Sequence, residues 1–249
     1  MVSWDGHIVP FIVTVLIWFV ATGLVAWADN RDAKTFPKSI LIGGVCGISG
    51  LLVILMASQS VSVLAVYFAF ICALMVWGWH EASSTVIHHE VVLALTALLL
   101  ISLSWNAPNQ ISATVFVLMF AMRLSSKINI FVGVPNSSLE MLPPHLEYLK
   151  TYFGRNRMTW LLGASILAIT AVALWFGSLA LQAPVGSPEM VGASRLTTLC
   201  LLGALEHIFL ALPFRDGMLW GWALRGRMHE AQARASARTI PTKLVDSND

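Results

Sequence analysis

Between two long apolar runs the chain carries the polar stretch His80-Glu81-Ala82-Ser83-Ser84-Thr85-Val86-Ile87-His88-His89-Glu90. Three of the seven histidines and two carboxylates fall within these eleven residues. Imidazole and carboxylate at this density can share hydrogen bonds or ligate zinc or iron. Other candidates lie far off in the sequence: Arg123, Asn129, His145 with Glu147, and Glu206-His207. Successive helical residues turn by about 100°, so His88, His89 and Glu90 cannot all face one site. A metal centre could draw on His80, one of His88 and His89, Glu90, Glu206 and His207. The spacing speaks against it, because both the Glu-x-x-His pairs of di-iron bundles and the His-Glu-x-x-His zinc pattern are missing. The plainer reading is that these histidines bond to carbonyls, headgroups or nearby carboxylates. Axial ligation of a haem or chlorin by one imidazole is chemically reasonable, but a lone histidine does not select it. The sequence presents neither a Ser, His and Asp nucleophile arrangement nor a phosphate loop or dinucleotide fingerprint.

The elements that must position these residues are membrane helices. The chain is 57% hydrophobic and 11% charged over 249 residues, whereas soluble domains average about 25% charged. A spanning helix needs about 20 mostly apolar residues. Seven runs qualify: Ile8–Ala28, Ile40–Met56, Val61–Trp79, Ile87–Trp105, Ile111 to at least Met122, Met158–Leu181 and Leu196–Phe214. Met1–His7 lacks a basic n-region, so the first run is expected to remain as a helix. Cys46, Cys72 and Cys200 each sit alone in an apolar run and make neither a zinc motif nor a disulfide framework.

Basic residues set the expected topology. Arg31, Lys34 and Lys38 follow the first run, Lys127, Lys150, Arg155 and Arg157 follow the fifth, and six more occupy the C-terminal segment from Arg215. The alternate loops carry none until Arg195 at the end of 182–194. The positive-inside rule then predicts an external N-terminus and a cytoplasmic C-terminus. The fold class expected is all-α: a polytopic integral membrane protein of about seven transmembrane helices, plus an interfacial C-terminal helix. That last helix is the Trp-rich basic stretch 217–227. A short amphipathic helix is expected after Pro144. Residues 1–231 form one transmembrane domain and 232–249 a polar, disordered tail. The basic residues follow topology rather than forming a stripe, which excludes nucleic acid as a partner.

This topology gathers His80, Glu81, His88, His89 and Glu90 at the cytoplasmic side, with His145 nearby. Glu206 lies eight residues before Phe214, about 12 Å deep, and Arg123 twelve residues after Ile111, about 18 Å from the outer face. In a core of about 30 Å these depths nearly coincide, which predicts an Arg123–Glu206 pair.

Several stretches together resemble one family. They are Val76-Trp77-Gly78-Trp79-His80-Glu81, His89-Glu90, Trp105-Asn106-Ala107-Pro108-Asn109-Gln110 and Met122-Arg123-Leu124-Ser125-Ser126-Lys127-Ile128-Asn129. Leu142-Pro143-Pro144-His145-Leu146-Glu147-Tyr148-Leu149-Lys150, Leu205-Glu206-His207 and Leu212-Pro213 complete the set. In order and content the chain resembles the PuhE family of photosynthetic complex assembly proteins in purple and related phototrophic bacteria. The resemblance implies an inner-membrane protein that helps assemble the reaction centre and light-harvesting 1 complex, or supports bacteriochlorophyll supply. It carries over no catalytic residue. Relatives have a longer loop between the Trp-His-Glu motif and the His-Glu of the fourth run; here only Ala82 to His88 separates them.

The reading that follows is non-enzymatic. His80, Glu81, His89, Glu90, Arg123, Asn129, His145, Glu206 and His207 form the expected functional surface. Its partners would be the lipid bilayer and reaction-centre or light-harvesting subunits or pigment-synthesis enzymes, with bacteriochlorophyll or a metal ion as the conceivable cofactor. The rival is a metal-dependent membrane enzyme acting on a pigment precursor or lipid.

Overall fold

A computed structural model describes residues 5–29, 36–82, 89–136 and 157–212, together with Leu219 and Gly221. Seven helices occupy this range: α1 (Asp5–Asp29), α2 (Phe36–Ser58), α3 (Val63–Ala82), α4 (His89–Ser104), α5 (Ile111–Val132), α6 (Trp160–Gln182) and α7 (Pro188–Ala211). Six are long and apolar enough to cross a membrane, and α4, with 16 residues, is shorter. The protein is therefore an all-helical polytopic membrane protein. The expected helices after Pro144 and over 217–227, and the tail 232–249, lie outside the described residues apart from Leu219 and Gly221.

Burial sorts the helices. More than half of the spanning stretches of α3 and α7 is buried, against about a fifth in α1, α2, α5 and α6. The outer helices turn Ile8, Phe11, Leu41, Ile42, Leu167 and Leu174 outward, which lipid tolerates at no cost. One core cluster joins α2 to α5 around Trp77, Leu93, Leu100 and Phe116. Another joins α3, α5, α6 and α7 around Phe70, Val115, Phe176 and Leu199.

Two helices depart from the expected bounds by more than two turns, each for a local reason. Helix α7 starts at Pro188 rather than Leu196. Ser187 caps it by accepting from the Met190 N–H at 3.1 Å, Pro188 supplies the preset φ of a first helical position, and Glu189 suits the N-terminal dipole. Arg195 is thus inside a helix and fully buried, not at the end of a loop. Helix α5 runs through Arg123 and Lys127 to Val132, because both cations find carboxylates on neighbouring helices.

Asn109 ties two loops together. Its backbone N–H donates to Ser58 O, its Nδ2 donates to Ala57 O, and its Oδ1 accepts from the Ile111 N–H opening α5, at 3.1, 3.1 and 3.2 Å. At the other end of α5, Gly133 has φ 126°, a conformation that glycine alone adopts readily. The chain then turns so that Asn136 Nδ2 donates to Phe209 O at 3.0 Å, fastening α5 to the end of α7.

Candidate functional site

Charge converges where α3 ends and α4 begins. Arg123 and Lys127 are four residues apart on α5 and share a face. Arg123 Nη1 pairs with Glu81 Oε2, in the last turn of α3. Its Nε lies 3.6 Å from Glu90 Oε1, in the first turn of α4. Lys127 Nζ pairs with that same Glu90 oxygen. His89 Nε2 stands 3.9 Å from Glu81 Oε1, and neither atom has a hydrogen-bond partner among the described residues. Two acids and two bases thus compensate one another at the junction of α3, α4 and α5.

The expected Arg123–Glu206 pair is not formed. Arg123 pairs with Glu81 and Glu90, while Glu206 Oε1 accepts a 2.9 Å hydrogen bond from Trp18 Nε1 on α1. Depth fixes how far into the bundle a residue lies, but not which way its helix turns it. Glu81, Arg123 and Glu206 nonetheless all line one cavity of about 390 Å³ between α1, α3, α5 and α7. Trp18, Trp77 and Ser126 share it, as do Val25, Met122 and Leu199 on its apolar side. One end offers charge and hydrogen bonds while the walls are apolar, which is the form of a small-ligand site.

The histidines separate. His80 is buried and its Nε2 lies 3.1 Å from Thr96 Oγ1, two turns into α4. Trp79 stacks beside it, ring centroids 5.1 Å apart. His207 is fully buried on α7, its Nδ1 2.8 Å from Gly203 O and its Nε2 3.1 Å from Ser125 Oγ. Asn129 turns to α6, donating to Ser165 Oγ at 2.9 Å and to Ser125 O at 2.9 Å. His145 lies outside the described residues.

Among the described residues no three His, Cys, Asp or Glu side chains gather as a metal-ligand set. His80, His89, Glu90, Glu206 and His207 are each turned to a different neighbour, on Thr96, Glu81, Lys127, Trp18 and Ser125 respectively. The imidazoles are used in helix-to-helix contacts rather than aimed at a common point.

Sequence reasoning missed Trp18, Thr96, Ser125, Ser126 and Arg195. Ser126 could have been found, since it follows Arg123 by three residues and so shares its helix face. The Ser187-Pro188-Glu189 cap signal would have put Arg195 inside the membrane. Trp18 and Thr96 stand in apolar runs with no local mark.

The comparisons agree with this frame. No solved structure matches. A protein described as "Uncharacterized 30.4 kDa protein in puhA 5'region" of Rhodobacter capsulatus is 28% identical over 264 residues, covering 93% of this chain and 95% of the relative. A family model described as protein of unknown function, DUF3623, matches residues 5–84 and 81–231, the two segments meeting at the α3–α4 connection. With nearly the whole helical domain matched, the chain belongs to the DUF3623 family.

Proposed function

We propose that this protein is an assembly factor for bacterial photosynthetic complexes, the reaction centre and its light-harvesting 1 antenna, in the bacterial inner membrane with its N-terminus periplasmic and its C-terminus cytoplasmic. In this reading it holds a bacteriochlorophyll-related pigment, or a nascent subunit, while the complex forms. One observation carries it: Glu81, Arg123 and Glu206, distant in sequence, line one cavity with Trp18 and Trp77 inside a membrane bundle. The apolar walls suit the tail or ring of a membrane-dissolved molecule, and the charged end suits its polar substituents. The family resemblance and the relative's place in the puhA 5′ region favour the photosynthetic setting.

The test is Arg123→Gln, expressed in a phototrophic host lacking its own copy. The expected result is lower reaction-centre and antenna absorbance per membrane-inserted copy of the variant. Unchanged pigment–protein content at equal variant abundance counts against the reading.

A further inference from the structure

His207 holds a hydrogen-bond arrangement that an assembly role does not require. Its Nδ1 faces the Gly203 carbonyl at 2.8 Å. A carbonyl only accepts, so Nδ1 carries the proton and the neutral ring keeps one lone pair, on Nε2. Two serine hydroxyls reach that lone pair, Ser125 Oγ at 3.1 Å and Ser126 Oγ at 3.4 Å. They open on different spaces. Ser125 lines a cavity of about 360 Å³ among α5, α6 and α7, walled by Ala121, Ala164 and Ala168. Ser126 lines the 390 Å³ cavity that also holds Arg123.

We propose that Ser126 and His207 are a nucleophile–base pair that cleaves an ester carrying an apolar chain, drawn from the membrane into the Arg123 cavity. A hydroxyl whose proton faces a base, with the base's far nitrogen fixed by an acceptor, is what nucleophilic catalysis needs. Such contacts are often long without substrate and tighten when it binds. Arg123, three residues before Ser126 on α5, lines the same cavity beside Glu81, with which it pairs, and Glu206; a substrate that displaces the Glu81 contact would set the guanidinium against the acyl oxygen, where negative charge would develop. Trp77, Val25 and Leu199 receive the apolar chain.

The step balances with water as co-reactant. Ser126 Oγ bonds to the acyl carbon as the carbon–oxygen bond to the alcohol breaks. The Ser126 proton passes to His207 Nε2 and on to the departing alcohol. Water then attacks the acyl-serine carbon and gives a proton to Nε2. The Ser126 ester bond breaks, Ser126 regains its proton, and the free acid leaves. Ser125 competes for the same lone pair and so restrains the reaction.

The full chain, purified in mild detergent, is incubated with a long-chain alkyl fluorophosphonate and the labelled peptide read by mass spectrometry. Ser126 should be labelled. His207→Gln should slow labelling by about 100-fold or more, the span of general-base assistance. Ser125→Ala should speed it by freeing the lone pair. Ser126→Ala should abolish it with an unchanged thermal transition, because His207 keeps Gly203 and Ser125. No label on Ser126 of the folded wild type, or labelling of His207→Gln at the wild-type rate, overturns the proposal. If His207→Gln does not fold, Ser125→Ala decides, and unchanged or slower labelling there overturns it as well. These outcomes leave the assembly reading untouched, since that is read from pigment–protein content in cells and not from labelling.

Discussion

Trp79 of α3 fills a slot that Gly47 of α2 leaves open: a Cβ built on Gly47 would lie 2.5 Å from indole Cε3. Gly43 and Gly44 border the same ring, at 3.4 Å from their own would-be Cβ atoms. Trp79 also stacks on His80, which in turn meets Thr96 of α4. A glycine on α2 therefore helps set the position of an imidazole that faces α4. Small residues allowing close backbone approach are the usual means of packing helices in lipid.

Gly47→Ala should accordingly destabilise the protein by about 1–3 kcal/mol, the range for overpacking a filled interior. Gly163 on α6 is the control, since nothing lies within 4 Å of its would-be Cβ. Gly163→Ala should be neutral or gain up to about 1 kcal/mol from helix propensity. Thermal unfolding in detergent checks both, and equal behaviour of the two variants would show that the slot is not tight.

Whether Arg123 answers to Glu81 or to Glu206 can be settled energetically. Residues in direct contact couple by about 0.5–3 kcal/mol, whereas separated ones add within about 0.5 kcal/mol. Glu81→Gln and Arg123→Gln should be strongly non-additive. Glu206→Gln and Arg123→Gln should be nearly additive, as Glu206 bonds Trp18 instead. Removing Arg123 alone should be the most harmful single change, since it leaves two partly buried carboxylates to face each other. The reverse pattern of couplings would restore the depth-based pairing.

Asn109 makes a prediction about the motif Trp105–Gln110. It is 4% exposed and both donates and accepts between the α2–α3 and α4–α5 connections. Asn109→Ala leaves the Ala57 carbonyl and Ile111 N–H without this partner, costing about 1–3 kcal/mol. Asn109→Asp keeps the acceptor for Ile111 but puts a second acceptor against Ala57 O, so it should be at least as harmful. A milder effect of Asp than of Ala, in the same thermal assay, would mean the Ala57 bond contributes little.

How much of this was legible depended on the scale of the signal. Apolar runs of twenty residues announced the helices, and the fold class followed. The polar stretch at residues 80–90 pointed to the right end of α3 and α4, and Glu81, Glu90 and Arg123 do meet there. What failed was azimuth and helix phase. Hydropathy averaged Arg195 out of α7, because a helix buried in protein can carry polar residues that a lipid-facing one cannot. Depth arithmetic matched Arg123 to Glu206 without knowing that α7 turns Glu206 toward Trp18. The serines beside His207 had no sequence mark as a pair, since α5 and α7 meet there across eighty intervening positions.

Arg195 is the residue whose presence the packing alone explains least. It is fully buried on α7, its Cζ 3.9 Å from the Tyr67 ring centroid and 4.3 Å from that of Phe70. Tyr67 and Phe70 are three apart on α3 and so present neighbouring faces. Nε, Nη1 and Nη2 hydrogen-bond to no described residue. Desolvated cation–π contact contributes about 2 kcal/mol, less than the several kcal/mol that burying an ion costs. Arg195→Met should therefore keep or raise the unfolding temperature, since it retains the length and removes the charge. Arg195→Lys should lower it, because an ammonium is more strongly hydrated and cannot lie flat against an aromatic ring. If Met proves more damaging than Lys, the aromatic pair compensates the charge more fully than this balance allows. If Met stabilises the protein yet lowers pigment–protein content in cells, the cation serves function at the expense of stability.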